Sequence, residues 1–275
     1  MFFYKIKILL LRILGYDKPL RVALLKFLTL KFKTFRPHYE NILLESVLEA
    51  KKIGYKNVSI LELGVAGGNG IIALEKYKKK IEKMTNIKID IYGFDYGEGL
   101  PATSNKFDLP FLWSHGDYKI DKVKLDKKIN NKIFLGDIKN TFKEFLKNNP
   151  APISAIFIDL DYYTSTKFFL NQLPDAYEFL LPRVYCYFDD VVDVNNYINE
   201  HNGERLAIKE FNDANQNIKI GKSLSNLSDF KFSIGNEKLF MLHNFNHKHY
   251  SKKINYQKSS LSLDDSKVGN IFDLK

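Results

Sequence analysis

The 275-residue chain contains one cysteine and one tryptophan. A lone thiol excludes a disulfide framework and a cysteine-based zinc site. Cys186 lies in the apolar run Val184-Tyr-Cys-Tyr-Phe188. It reads as a buried thiol in a reducing compartment, which points to the cytoplasm. The chain also lacks an uninterrupted apolar run approaching the roughly 20 residues that span a bilayer. Residues 1–14, MFFYKIKILLLRIL, come nearest, but Lys5, Lys7 and Arg12 interrupt them and no small-residue cleavage site follows. They are expected either to pack as a helix on the domain or on a second copy in a homo-oligomer, or to lie on a membrane surface as a basic amphipathic segment. No internal repeat is visible. The formal charge is +10, from 42 basic and 32 acidic residues. The lysines are scattered rather than interleaved with aromatics on one element, so they read as solvated faces and not as a nucleic-acid surface.

What is present suits a buried core. The chain is 45% apolar and 14% aromatic, and its length fits one α/β domain with extensions. The expected division is a basic apolar arm over 1–36, a domain over 37–245 and a polar tail over 246–275. Pro37 opens a helix that Gly54 stops. Strands are expected at 58–63, 87–94, 132–135, 153–158 and 184–188, with helical patterns between them. Thr141 and Glu144 read as a capping box for the helix after the third strand. A helix from about 166 contains Pro174, which must kink or restart it. A polar helix-like stretch covers 196–215. Late strand-like runs, at 218–224 or 230–234 and at 238–242, suit an antiparallel edge. Alternating strands and helices predict a doubly wound, Rossmann-like sheet, mostly parallel, with ligands held beyond the carboxyl ends of the strands.

The first strand runs into a glycine-rich turn, Glu62-Leu63-Gly64-Val65-Ala66-Gly67-Gly68-Asn69-Gly70, and a helix follows. Gly64, Gly68 and Gly70 allow backbone to approach a ligand closely. The spacing differs from the dinucleotide fingerprint, and Glu62 would repel a pyrophosphate but suit a cationic ligand. Acids follow every predicted strand: Glu62, Asp95, Asp137, Asp159 with Asp161, and Asp189 with Asp190. Aspartate is common in turns, but acids at all five strand ends, at the ligand edge of such a fold, point to function. Asp95 is placed to accept from ribose hydroxyls and Asp137 from an adenine amino group. Tyr96 and Ile138 stand beside them as further cofactor contacts. Strands four and five should be neighbours about 4.8 Å apart. That sets Asp159 beside Asp189 and Asp190, three carboxylates that repel unless a cation binds between them. All-oxygen ligation favours Mg²⁺, Mn²⁺ or Ca²⁺. Asp161, or Asp159 itself, would then serve as general base; the alternative reading of Asp161 is a cap for the next turn. His115 and His201 are candidates for substrate contact, and His243, His247 and His249 form a loose group near the tail. Trp113, Tyr162 and Tyr163 either stack on a substrate ring or fill the core.

The glycine turn and the acid of the second strand resemble those of class I S-adenosylmethionine-dependent methyltransferases. Phe94-Asp95-Tyr96-Gly97-Glu98-Gly99-Leu100-Pro101, Asp159-Leu-Asp-Tyr-Tyr-Thr-Ser-Thr166 and Asp189-Asp190 resemble, in that order, three motifs of the macrocin O-methyltransferase family. Leu160 stands where that family has glycine. The resemblance covers residues 58–192. It implies a metal-dependent O-methyltransferase with S-adenosylmethionine as donor and a divalent cation, most simply Mg²⁺, at Asp159, Asp189 and Asp190. It also implies a small-molecule acceptor, a saccharide or similar polyol. Two other functions stay open: a nicotinamide-dependent oxidoreductase or epimerase acting on a sugar nucleotide, and a non-catalytic scaffold held at a membrane through 1–14.

Overall fold

The computed structural model describes residues 36–193, 195, 197–223 and 236–252. The arm up to residue 35, the run 230–234 and most of the polar tail lie outside them. Helix α1 (Pro37–Ile53) starts on a proline, which fits the first turn because its missing N–H has no partner there anyway, and ends on Gly54 at φ 98. Then follow β1 (Asn57–Leu63), α2 (Asn69–Thr85), β2 (Lys88–Asp95), the short α3 (Lys122–Asp126), β3 (Lys132–Leu135) and α4 (Ile138–Lys147). The second half runs β4 (Ile153–Ile158), α5 (Tyr163–Leu170), β5 (Leu180–Phe188), α6 (Gly203–Ala214), β6 (Ile218–Lys222) and β7 (Leu239–Asn244).

The seven strands form one sheet in the order β3-β2-β1-β4-β5-β7-β6. Only β7 opposes the rest; it lies antiparallel between β5 and β6, one place in from the edge. Helices α1 and α2 pack together over one part of the sheet, while α4, α5 and α6 pack in succession over the other face. β4, the sequence Ile-Ser-Ala-Ile-Phe-Ile, is buried at every position, as its unbroken apolar run requires for a strand covered on both faces. Chain connections leave β1 toward β2 and β3, then jump back over it to β4. The sheet's direction of winding therefore switches between β1 and β4, and a crevice opens above their carboxyl ends.

Three local expectations are corrected. Asp137 caps α4, accepting from the Lys139 N–H at 2.8 Å. Thr141 therefore lies inside the helix, its hydroxyl turned back on the Asp137 carbonyl, and no capping box forms with Glu144. An acid directly after a short strand reaches the free N–H groups first. Helix α5 begins at Tyr163 rather than near 166 and ends at Leu170, so Pro174 falls in the following turn instead of kinking a helix. The polar stretch from 196 becomes helical only at Gly203. Cys186 is buried, and burial pushes its thiol up to about 12, so it is an inert core group. Among the described residues no helix is long and apolar enough to cross a membrane.

Tyr39 of α1 stacks on Phe157 of β4 with centroids 4.3 Å apart, and both rings are fully buried. Truncating Phe157 leaves a ring-sized hole in a dry, rigid part of the sheet. Phe157→Ala is expected to lower unfolding free energy by about 3–5 kcal/mol in urea titrations.

Candidate active site

The crevice is a cavity of about 740 Å³. The turn after β1 lines it on one side, the ends of β2 and β3 continue the wall, and the turns after β4 and β5 close the other side. Gly64 has φ +83, and a Cβ there would stand 1.8 Å from the Asp159 carbonyl oxygen, so only glycine fits. Gly70 opens α2 directly against Glu62, whose Oε1 a Cβ would meet at 1.6 Å. Gly68, also at positive φ, faces Leu125 of α3 and does not line the cavity. Its role is to let the turn pack.

Asp95 organises this turn. One carboxylate oxygen accepts from the Ala66 N–H at 2.8 Å and the other from the Gly97 N–H at 2.7 Å. Glu62 is buried, its Oε2 has no partner among the described residues, and its carboxyl is pushed well up, chiefly by burial and then by Asp159. Tyr96, Asp137 and Ile138 also line the cavity. Of the cofactor-side residues expected from the sequence, all but Gly68 line the cavity.

Across the cavity, Asp159, Asp161 and Asp190 each offer an oxygen within 4.8 Å of the others. The sequence grouped Asp159 and Asp190 with Asp189; the structure puts Asp161 there instead. Asp189 accepts from the Tyr187 hydroxyl at 2.8 Å and pairs with Lys238 at 3.0 Å. Burial pushes Asp189 upward, but Lys238, Tyr187 and Arg36 outweigh it and hold the carboxyl below its usual value. In the cluster the balance is the reverse. Burial first, and then the neighbouring acids, push Asp159 up to about 8, Asp161 to about 9 and Asp190 to about 6. One oxygen of Asp190, Oδ2, is buried without a partner among the described residues.

Asp161 is free for the cluster because it does not cap α5. Tyr162 holds the cap position without a side-chain bond. The cap comes from Asp108, in the loop after β2: this buried carboxylate accepts from the Thr164 N–H at 2.7 Å, the Thr164 hydroxyl at 2.8 Å and the Thr103 hydroxyl. Asp161 has φ 57, a left-handed conformation that favours glycine, and this aims its carboxylate back at the cluster. Behind the cluster, fully buried Glu204 in the first turn of α6 accepts from the Asp190 N–H at 3.1 Å. Its second oxygen reaches the Leu160 N–H and the Thr166 hydroxyl, both at 3.5 Å. Glu204 and Asp108 gave no sequence signal, since the bonds from Glu204 to Leu160 and from Asp108 to Thr164 span more than 40 residues of chain.

Arg36, which the sequence pattern assigns to the arm, also lines the cavity. Trp113 and Tyr118, centroids 6.2 Å apart, form an aromatic wall at the cavity. Tyr162 lines it too, whereas Tyr163 turns away and donates to Glu210 at 2.7 Å. His115 bonds the Leu100 carbonyl and His201 is exposed; neither lines the cavity. His243 bonds Tyr250 and His247 bonds Tyr55, on elements remote from the turns described.

No family profile matches the chain, and no curated protein matches it. Solved structures do. CalS11, a calicheamicin methyltransferase, is 17% identical over 76% of this chain and 80% of its own, with a TM-score of 0.50. An apo structure of CalS11, described as a TDP-rhamnose 3'-O-methyltransferase, is 16% identical over 76% of this chain and 81% of its own, with a TM-score of 0.43. An O-methyltransferase from Bacillus cereus in complex with S-adenosylhomocysteine is 14% identical over 83% and 91%, with a TM-score of 0.39. At such identities the likeness is one of fold: the chain has the class I methyltransferase fold.

A carboxyl whose pKa is raised on folding stabilises the native state at low pH, and that contribution is lost as pH climbs from the unfolded value through the folded one. In chelator, wild type should therefore lose thermal stability relative to Asp161→Asn between about pH 4 and about pH 9. Melting curves of the two proteins across that range check this; a constant difference would contradict it.

Proposed function

We propose that the chain is an S-adenosylmethionine-dependent methyltransferase that methylates a hydroxyl oxygen of a saccharide or similar small polyol, with a divalent cation at Asp159, Asp161 and Asp190. One observation carries this reading: a single cavity joins the glycine turn to the three-carboxylate cluster. The residues present fit both groups. For the donor, the turn has glycines that a Cβ would close, and Glu62 has a buried oxygen without a partner among the described residues, suited to the cationic side of the ligand. For the cation, three convergent carboxylate oxygens and the bare Asp190 Oδ2 form an oxygen-only donor set, which favours Mg²⁺ over zinc.

Bound there, the cation supplies charge that lowers the pKa of an acceptor hydroxyl, and S-adenosylmethionine supplies an electrophilic methyl group. The chain's own residues do the rest. Asp95 keeps lone pairs for ribose hydroxyls after its two backbone bonds. Asp137 and Ile138, which line the cavity at the end of β3, would flank the adenine. Asp161, whose carboxylate converges on the same site, would accept the proton of the acceptor hydroxyl. Trp113 and Tyr118 offer ring faces to the C–H face of a sugar, while its hydroxyls point to the acids. A nicotinamide reading is poorly supported, because buried Glu62 underlies the turn on which a pyrophosphate would rest.

Methyl-labelled S-adenosylmethionine, incubated with the protein and a saccharide panel, should label an ether product that disappears in chelator. Asp161→Ala and Asp190→Ala should each lower turnover at least about a hundredfold and leave S-adenosylhomocysteine binding within a few fold. Turnover that persists in chelator would remove the cation from the reading; absence of S-adenosylhomocysteine binding would remove the donor.

A further inference from the structure

Among the described residues lining the cavity, eight carry carboxylates and one, Arg36, carries a cation. Arg36 stands just before α1 at φ 50, and its guanidinium lies 4.9 Å over the Tyr39 ring. It donates to the Tyr39 hydroxyl at 3.0 Å, and that hydroxyl bonds Glu62. The arginine ion pairs among the described residues belong to Arg183 and Arg205, so no carboxylate there closes a pair with Arg36. Most of its fork of donors remains available toward the cavity. Tyr39 fixes which side of the cavity this is: its ring would stand 2.9 Å from a Cβ at Gly70, beneath the glycine turn.

A guanidinium and a buried carboxyl joined through one hydroxyl, at the end of the cavity that holds the turn, match a ligand with an anionic and a cationic group on one carbon. An α-amino acid is such a ligand. We infer that Arg36 binds the α-carboxylate of the methyl donor, opposite Glu62, which takes its ammonium group; the inference rests on the donor reading above. A guanidinium grips a carboxylate through two parallel hydrogen bonds. Without Arg36 that carboxylate would enter a wall of like charge. Glu62 supports the match independently: it is 3% exposed and its Oε2 is unpartnered among the described residues.

The test compares S-adenosylhomocysteine with its decarboxylated analogue by calorimetry, on wild type, Arg36→Met and Arg36→Lys. Wild type should bind the carboxylated ligand about tenfold to a hundredfold more tightly. The ratio should fall to near one in Arg36→Met and lie between in Arg36→Lys, which keeps the charge and loses the fork. Equal affinities in wild type, or a ratio unchanged in Arg36→Met, would overturn the assignment. The wild-type comparison needs no variant, so poor folding of Arg36→Met does not remove the test. If wild type binds both ligands equally, the donor reading stands and the Arg36 assignment alone falls. If wild type binds neither, the donor reading falls and the Arg36 assignment falls with it.

Discussion

Two stretches of backbone touch where β1 and β4 leave the sheet, and the cavity depends on that contact. A side chain at Gly64 would sit 1.8 Å from the Asp159 carbonyl, and the Asp159 N–H bonds the Leu63 carbonyl at 2.9 Å. Because no Cβ intervenes, the turn that follows β1 and the acids that follow β4 border the same cavity. The second close approach, Gly70 on Glu62, lets a buried carboxylate sit beneath the start of α2. Both contacts follow from the point where the chain reverses its order across the sheet. There, two neighbouring parallel strands send their exits in different directions.

The cavity inverts the charge of the molecule around it. The chain carries a formal +10, yet the cavity gathers carboxylates. The fold does not treat these acids alike. Lys238 and Tyr187 engage Asp189, which makes it a brace at the end of β5. Asp159, Asp161 and Asp190 have no lysine or arginine ion pair among the described residues, and burial with mutual repulsion raises all three. Glu204 ties the turns after β4 and β5 from behind through backbone N–H groups, and in that way sets the spacing of the cluster.

Local pattern made much of the fold legible. The runs 132–135 and 153–158 are the strands observed, because a short apolar run bounded by turn residues leaves a buried strand little alternative. Helix starts were less legible. Thr141 has the chemistry of a cap, but Asp137 comes first and takes the place. In the site, every acid at a strand end could be read, since the turn after a strand is a local matter. Which of them converge could not. Lys238, 49 residues from Asp189, decides that Asp189 turns aside. The left-handed backbone at Asp161 decides that its carboxylate turns in. Glu204 and Asp108 were silent for the same reason: each bonds a partner brought near only by folding.

Asp108 carries a further consequence. It completes a helix to which it does not belong, and in doing so fastens the long loop after β2 onto α5. The segment that leads to the aromatic wall is therefore anchored before any guest arrives. In the methyltransferase proposed above, such a wall would select an acceptor by a shape set before encounter rather than by closing on it.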